Sequence, residues 1–142
     1  MIIERGLTAG LTLEKIRRDE AVFQAKVIEQ KLAWERSALK DKTLFFDRGI
    51  PECLAYYRLC GLDTKKLARA SRKGTYRAIF FNAQLPFQKD YARIEDETTA
   101  IYLARLIRES YEECGYPIID VPVASVEKRV RIVLDAIGRI GR

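Results

Sequence analysis

Three short apolar runs punctuate the chain: "TLFF" at residues 43–46, "RAIFFN" at 77–82 and "PIIDVPV" at 117–123. Each is brief, rich in β-branched or aromatic residues and bounded by turn formers, which predicts strands buried on both faces. Between them the apolar spacing lengthens to three and four. From Ala21 to Leu39 it makes two stripes, Phe23/Val27/Trp34 and Ile28/Leu32/Leu39, the pattern of a helix held between neighbours. Ala100, Leu103, Ile107, Tyr111 and Cys114 line one face of a second helix beginning near Asp96, with Gly115 as its stop. Ser125 is the expected N-cap of a last helix carrying Val126, Val130, Val133 and Ile137. Strands alternating with crossover-length helices predict an α/β chain with a three-layer parallel sheet. No repeat or linker interrupts residues 1–142, so one domain is expected.

Composition narrows the chemistry. With 48% hydrophobic and 32% charged residues the chain has the make-up of a globular protein. No apolar run approaches the roughly 18 residues a membrane helix needs. The opening "MIIERGLTAG" lacks a signal peptide's layout, so the cytoplasm is expected, with no membrane partner. There is no histidine, and Cys53, Cys60 and Cys114 form no CxxC pair. Zinc sites of the Cys/His type and Ser-His or Cys-His catalysis are thereby excluded. Cys53 and Cys60 fall in predicted helix and read as reduced, buried thiols. The net charge of +6 is mostly interleaved with acids, except in "KKLARASRKGTYR". Lys65, Lys66, Arg69, Arg72, Lys73 and Arg77 there read as a solvated helix face or a phosphate-attracting patch. Tyr76 is the one aromatic among them, so base stacking has little to work with and nucleic acid is not the expected partner.

The candidate site lies where the first apolar run ends, in "FFDRGIP". Ligands of open α/β sheets bind at the carboxyl ends of strands, and Asp47 and Arg48 are expected there. Gly49 frees the backbone for a turn, and Pro51 suits the first position of a helix. A carboxylate in this place can hold magnesium, directly or through water, and a guanidinium offers a planar fork to phosphate oxygens. The pair also reads as a structural turn, with Asp47 capping and Arg48 balancing it; spacing alone leaves both readings open. Trp34, Tyr56 and Tyr57 read as packing residues or as the wall of a substrate pocket.

Taken together, "FFDRGIPECLAYYRLCGL", "DYARIEDETTA", "YEECGYPIIDVP" and "SVEKRV" resemble the AAA-type ATPase family of P-loop proteins, which includes the ATPase/kinase domain of the bacterial nicotinamide riboside kinase regulator. The resemblance runs over nearly all of the chain. It implies a P-loop, kinase-like fold that uses ATP and Mg2+ for hydrolysis or for phosphoryl transfer to a small-molecule acceptor. It also implies roles: Asp47 as the Walker-B-type magnesium residue, Arg48 beside it, and Arg93 as a lid arginine closing on nucleotide phosphates. Residues 84–95 become the candidate lid, a segment whose Pro86 and polar residues also read as loop.

One element of that family is missing. The loop GxxxxGK[ST], whose backbone N–H groups and lysine cradle phosphates, does not occur. "GLTAGLT" at residues 6–12 has glycines but no lysine, and "RKGT" at 72–75 has its letters in the wrong order. The expectation is an N-terminally truncated domain that begins after the P-loop, its helix and the following strand. The missing first strand would lie at the sheet's centre, between residues 43–46 and 78–81. Each buried backbone hydrogen bond left unmade costs about 1–3 kcal/mol, against a total stability of roughly 5–15 kcal/mol. The chain alone is therefore not expected to bind ATP tightly. Three readings follow: part of a longer nucleotide-binding enzyme, an interaction module or remnant whose sheet a protein partner completes, and a basic nucleic-acid-binding domain.

Overall fold

The computed structural model describes residues 8, 10, 19–37, 42–71, 76–84 and 97–140. Helix α1 spans Glu20–Arg36. Asp19 opens it from an extended backbone and accepts from the Val22 N–H at 3.1 Å. Phe23 is buried, and Val27, Ile28 and Leu32 pack on a core of Ile50, Cys53, Leu54 and Leu67. Trp34 stays exposed and Leu39 lies outside the described residues, so α1 uses one broad face and is not sandwiched along its length.

Helix α2, Glu52–Leu59, carries the centre of that core, with Cys53, Leu54 and Ala55 buried. Pro51 stands one residue ahead, at φ −56°, as a proline can where no helical N–H is required. Helix α3, Lys65–Ser71, buries Leu67 and Ser71 and turns Lys65, Lys66 and Arg69 to solvent. That is the solvated-face reading of the basic cluster; Arg72 and Lys73 lie outside the described residues.

Strand β1, Ile79–Asn82, pairs in parallel with β2, Ile118–Val121, in the register Ile79↔Ile118 to Asn82↔Val121. Helix α4, Glu97–Glu113, lies between them in sequence and packs Leu103 and Leu106 against Ala55 of α2. It ends as expected. Gly115 is left-handed at φ 80°, its N–H donates to Glu112 O at 2.9 Å, and the Tyr116 N–H donates to Tyr111 O at 3.2 Å. Arg108 on α4 grips both oxygens of Asp120, at 2.6 and 3.1 Å, which ties the helix to β2 and holds the Asp120 carboxyl below its ordinary range. Helix α5, Val126–Ile140, opens on Ser125, whose Oγ accepts from the Lys128 N–H at 3.3 Å. The helix contacts β2 and buries Ala136, while Val126, Val130 and Leu134 remain exposed.

The described residues build an α/β arrangement, mostly helices with a two-stranded parallel sheet. One expectation needs correcting: residues 43–46 form no strand, and Leu44, Phe45 and Phe46 are exposed, Phe45 by 64%. A strand exists only through its ladder, so an apolar run with strand composition forms none where no neighbour pairs with it. Among the described residues no helix is long and apolar enough to cross a membrane.

The core also sets thiol reactivity. Cys53 is 1% exposed, and burial pushes its thiol up from the ordinary value, whereas Cys60 and Cys114 are half-buried. Since the thiolate is the reactive form, iodoacetamide at pH 8 is expected to label Cys60 and Cys114 and spare Cys53 until the chain is unfolded. Peptide mass mapping reads this; early labelling of Cys53 in the folded chain would contradict the packing.

Candidate functional site

The turn from Asp47 to Glu52 is built from backbone outward. Arg48 adopts φ 70°, the left-handed region that costs a non-glycine residue roughly 1–2 kcal/mol. Such a conformation persists only where its surroundings impose it, and here they do. The Gly49 N–H donates to Tyr111 OH at 2.9 Å, and the Ile50 N–H donates to Tyr76 OH at 3.0 Å. Lys31 Nζ donates to Gly49 O at 3.1 Å. Three side chains distant in sequence thus satisfy the polar backbone of two consecutive residues. The Tyr76 hydroxyl in turn donates to Glu35 Oε1 on α1.

Gly49 is required here for space. A Cβ at that position would lie 2.7 Å from both Cζ and the hydroxyl oxygen of Tyr76, closer than real Cβ atoms approach anything. Beneath the turn the Tyr76 and Tyr116 rings meet edge-on at 5.1 Å, the Tyr111 and Tyr116 rings at 6.5 Å, and Phe46 leans on Tyr76 at 6.3 Å.

Charge is arranged around Glu52, which is 2% exposed. Its Oε2 takes Lys31 Nζ at 3.1 Å and its Oε1 takes Arg48 Nη1 at 3.3 Å. Arg48 also donates from Nη1 to Tyr56 OH at 3.4 Å. Glu52 is the main reason the Arg48 guanidinium holds its proton above the usual range; burial opposes this, and Tyr56 and Asp47 add to it. Burial pushes up both the Glu35 carboxyl, against the opposing pull of Lys31, and the Tyr111 hydroxyl.

The predicted residues are distributed as follows. Asp47 and Arg48 are adjacent and exposed at the head of the turn. Arg93, and residues 85–95 of the candidate lid, lie outside the described residues. Tyr56 serves Arg48, Tyr57 packs on the core, and Trp34 is exposed, so these three do not form a common pocket wall. Tyr76, which accepts from the Ile50 N–H, lies three residues ahead of β1, and Tyr111, which accepts from the Gly49 N–H, lies on α4 ahead of β2. Because 43–46 is not in the sheet, nothing fixes Asp47 level with the strands' carboxyl ends.

Glu52, Lys31, Tyr76, Tyr111 and Glu35 went unforeseen as site residues. Arg48 and Glu52 at i,i+4 were visible as a pair; the other partners come from elements whose approach no local pattern encodes.

As a magnesium ligand Asp47 fits in kind. Magnesium takes one or two carboxylates and completes its shell with water and phosphate oxygens. Among the described residues no group of three or more His, Cys, Asp or Glu is placed to hold a metal by itself, so phosphate would have to supply the remaining oxygens.

Comparison with known proteins adds one finding. A family model described as "AAA domain" matches residues 1–129, most of the chain and all of the turn. No curated protein and no solved structure matches.

Proposed function

Because this chain belongs to the AAA domain family, we propose that it is a P-loop-type nucleotide-binding domain for ATP hydrolysis or phosphoryl transfer whose phosphate-cradling part must be supplied from outside these 142 residues. The observation that carries the reading is the segment ahead of Asp47. Leu44, Phe45 and Phe46 are apolar, exposed and outside any strand, and they lead directly into the turn. The two parallel strands among the described residues are few for a stable sheet, and parallel strands are ordinarily covered on both faces. A strand inserted between 43–46 and β1 would pair both and bury the exposed phenylalanines. It would also bring Asp47 level with the strand tips, where a loop of backbone N–H groups and a lysine can meet it.

In the completed site Asp47 would hold magnesium, in part through water. The metal's contribution is to neutralise charge between phosphates. Arg48 would take a phosphate oxygen through its fork, and Arg93 would close from the lid, excluding water as it adds charge. A non-catalytic interaction module is the second reading, favoured by the exposed Val126, Val130 and Leu134 on α5, which a protein partner would also cover.

Calorimetric titration of the purified chain with MgATP should show no tight binding. Tight magnesium-dependent binding by the chain alone would overturn the need for outside completion. Mixing with a strand–loop–helix protein that bears GxxxxGK[ST] should restore binding, and Asp47→Asn should then abolish magnesium dependence while leaving the lone chain's fold unchanged. If a partner stabilises the chain but nucleotide binding never returns, the interaction-module reading prevails.

A further inference from the structure

Glu52 holds two cations of different character. Lys31 reaches it from α1 with a side chain 14% exposed and is tied a second time by Gly49 O. Arg48 reaches it from the turn with a side chain 59% exposed. The carboxylate divides its oxygens between them, Oε2 to Lys31 and Oε1 to Arg48. One cation can therefore leave without disturbing the other.

The consequences of leaving differ. If Arg48 departs, Glu52 keeps Lys31 at 3.1 Å and no buried charge is stranded. Arg48's own contacts, 3.3 Å to Glu52 and 3.4 Å to Tyr56 OH, are long for hydrogen bonds, and pairs with one exposed partner hold weakly. Its backbone, by contrast, is pinned through Gly49 and Ile50 to Tyr111 and Tyr76. The side chain has a fixed root and a loosely held head. A phosphoryl group offers that head two charged oxygens matching the guanidinium fork, where Glu52 offers one.

We propose that Glu52 is a latch for Arg48: the guanidinium rests on Glu52 and Tyr56 and exchanges both for phosphoryl oxygens of a polyphosphate ligand, while Lys31 keeps Glu52 neutralised. The proposal rests on the reading that Arg48 meets phosphate, and adds the internal competitor that this contact must displace. Glu52 is a positioning residue in this scheme. It aims the arginine before ligand arrives and lowers its affinity for phosphate.

The full chain is titrated with tripolyphosphate in magnesium-containing buffer, followed by the Arg48 Nε–Hε resonance and by calorimetry, in the native sequence and in Glu52→Gln, Tyr56→Phe, Arg48→Gln and the Arg48→Gln/Glu52→Gln double variant. Tripolyphosphate in excess should shift the Arg48 resonance by weak binding that needs no lysine-bearing loop, since the arginine fork makes this contact by itself. Glu52→Gln should tighten binding about two- to fivefold, the range an exposed ion pair covers, and Tyr56→Phe up to about twofold. The gain from Glu52→Gln should vanish in the Arg48→Gln background, which separates the latch from a general effect of removing negative charge. Equal tightening with and without Arg48, or none in either Glu52→Gln or Tyr56→Phe, would overturn the latch and leave the Arg48–phosphate contact standing. No response of Arg48 to tripolyphosphate would overturn both. If Glu52→Gln does not fold, Tyr56→Phe decides, since it leaves the Glu52–Lys31 pair intact.

Discussion

Glu52→Ala is expected to destabilise the folded chain by about 3–5 kcal/mol, the cost of removing one partner from a buried ion pair. The Glu52 carboxylate is almost wholly buried and neutralises Lys31 at 3.1 Å and Arg48 at 3.3 Å. Truncation leaves the Lys31 ammonium half-enclosed with Gly49 O as its remaining acceptor among these contacts, and an uncompensated buried charge costs more than the pair contributed. It also removes the charge that holds Arg48 beside the turn. A loss of this size is a large part of the roughly 5–15 kcal/mol that separates folded from unfolded states. Urea unfolding should show the midpoint falling with the slope unchanged. Replacing both partners, Lys31→Met with Glu52→Leu, should recover most of the loss, because apolar groups of similar volume need no counter-charge. If Glu52→Ala lowers stability by less than about 1 kcal/mol, the pair is a surface pair in effect and its burial does not matter.

The second large effect is expected at Gly49. Alanine there puts a Cβ 2.7 Å from the ring and hydroxyl of Tyr76. The ring cannot simply swing aside, because its hydroxyl accepts from the Ile50 N–H at 3.0 Å and donates to Glu35. Either the clash is borne or two hydrogen bonds are lost. Overpacking costs about 1–3 kcal/mol, and two bonds worth about 0.5–1.5 kcal/mol each cost the same, so either route gives a destabilisation of roughly 1–3 kcal/mol. The diagnostic is the cycle with Tyr76→Leu, which removes the obstructing ring end. The double variant should be more stable than the sum of the single losses predicts. Strict additivity would show that Gly49 is needed for some reason other than the close approach of Tyr76.

These residues also mark how far the chain's text could be read. The end of α4 was legible: its 3–4 spacing stops at Cys114 and Gly115 takes the left-handed cap. The N-cap of α5 at Ser125 was legible for the same reason, since in both caps the physical cause lies within a few residues of its effect. The buried thiol of Cys53 and the strands at 79–82 and 118–121 were legible from composition, although their packing and pairing partners are distant in sequence.

Strand formation at 43–46 was misread because composition is local and pairing is not. "TLFF" has strand chemistry, yet its ladder depends on another segment, and without that neighbour Phe45 faces solvent. The apolar face of α5 was read correctly from its period, but period says only that a face is apolar. The structure packs Ala136 inward and leaves Val126, Val130 and Leu134 outside.

The candidate site divides along the same line. Asp47, Arg48, Gly49 and Pro51 follow one another, so the sequence by itself determined that an acid, a base and a tight turn open α2, and its longer pattern matched the AAA domain family across residues 1–129. Only the tertiary structure decided what grips that turn: Lys31 from α1, Tyr76 ahead of β1, Tyr111 from α4 and a buried Glu52 between two cations. Dihedral preference and apolar period act over a turn or two of chain. Hydrogen bonds and ion pairs between residues 18 to 62 positions apart arise only once packing has brought their elements together.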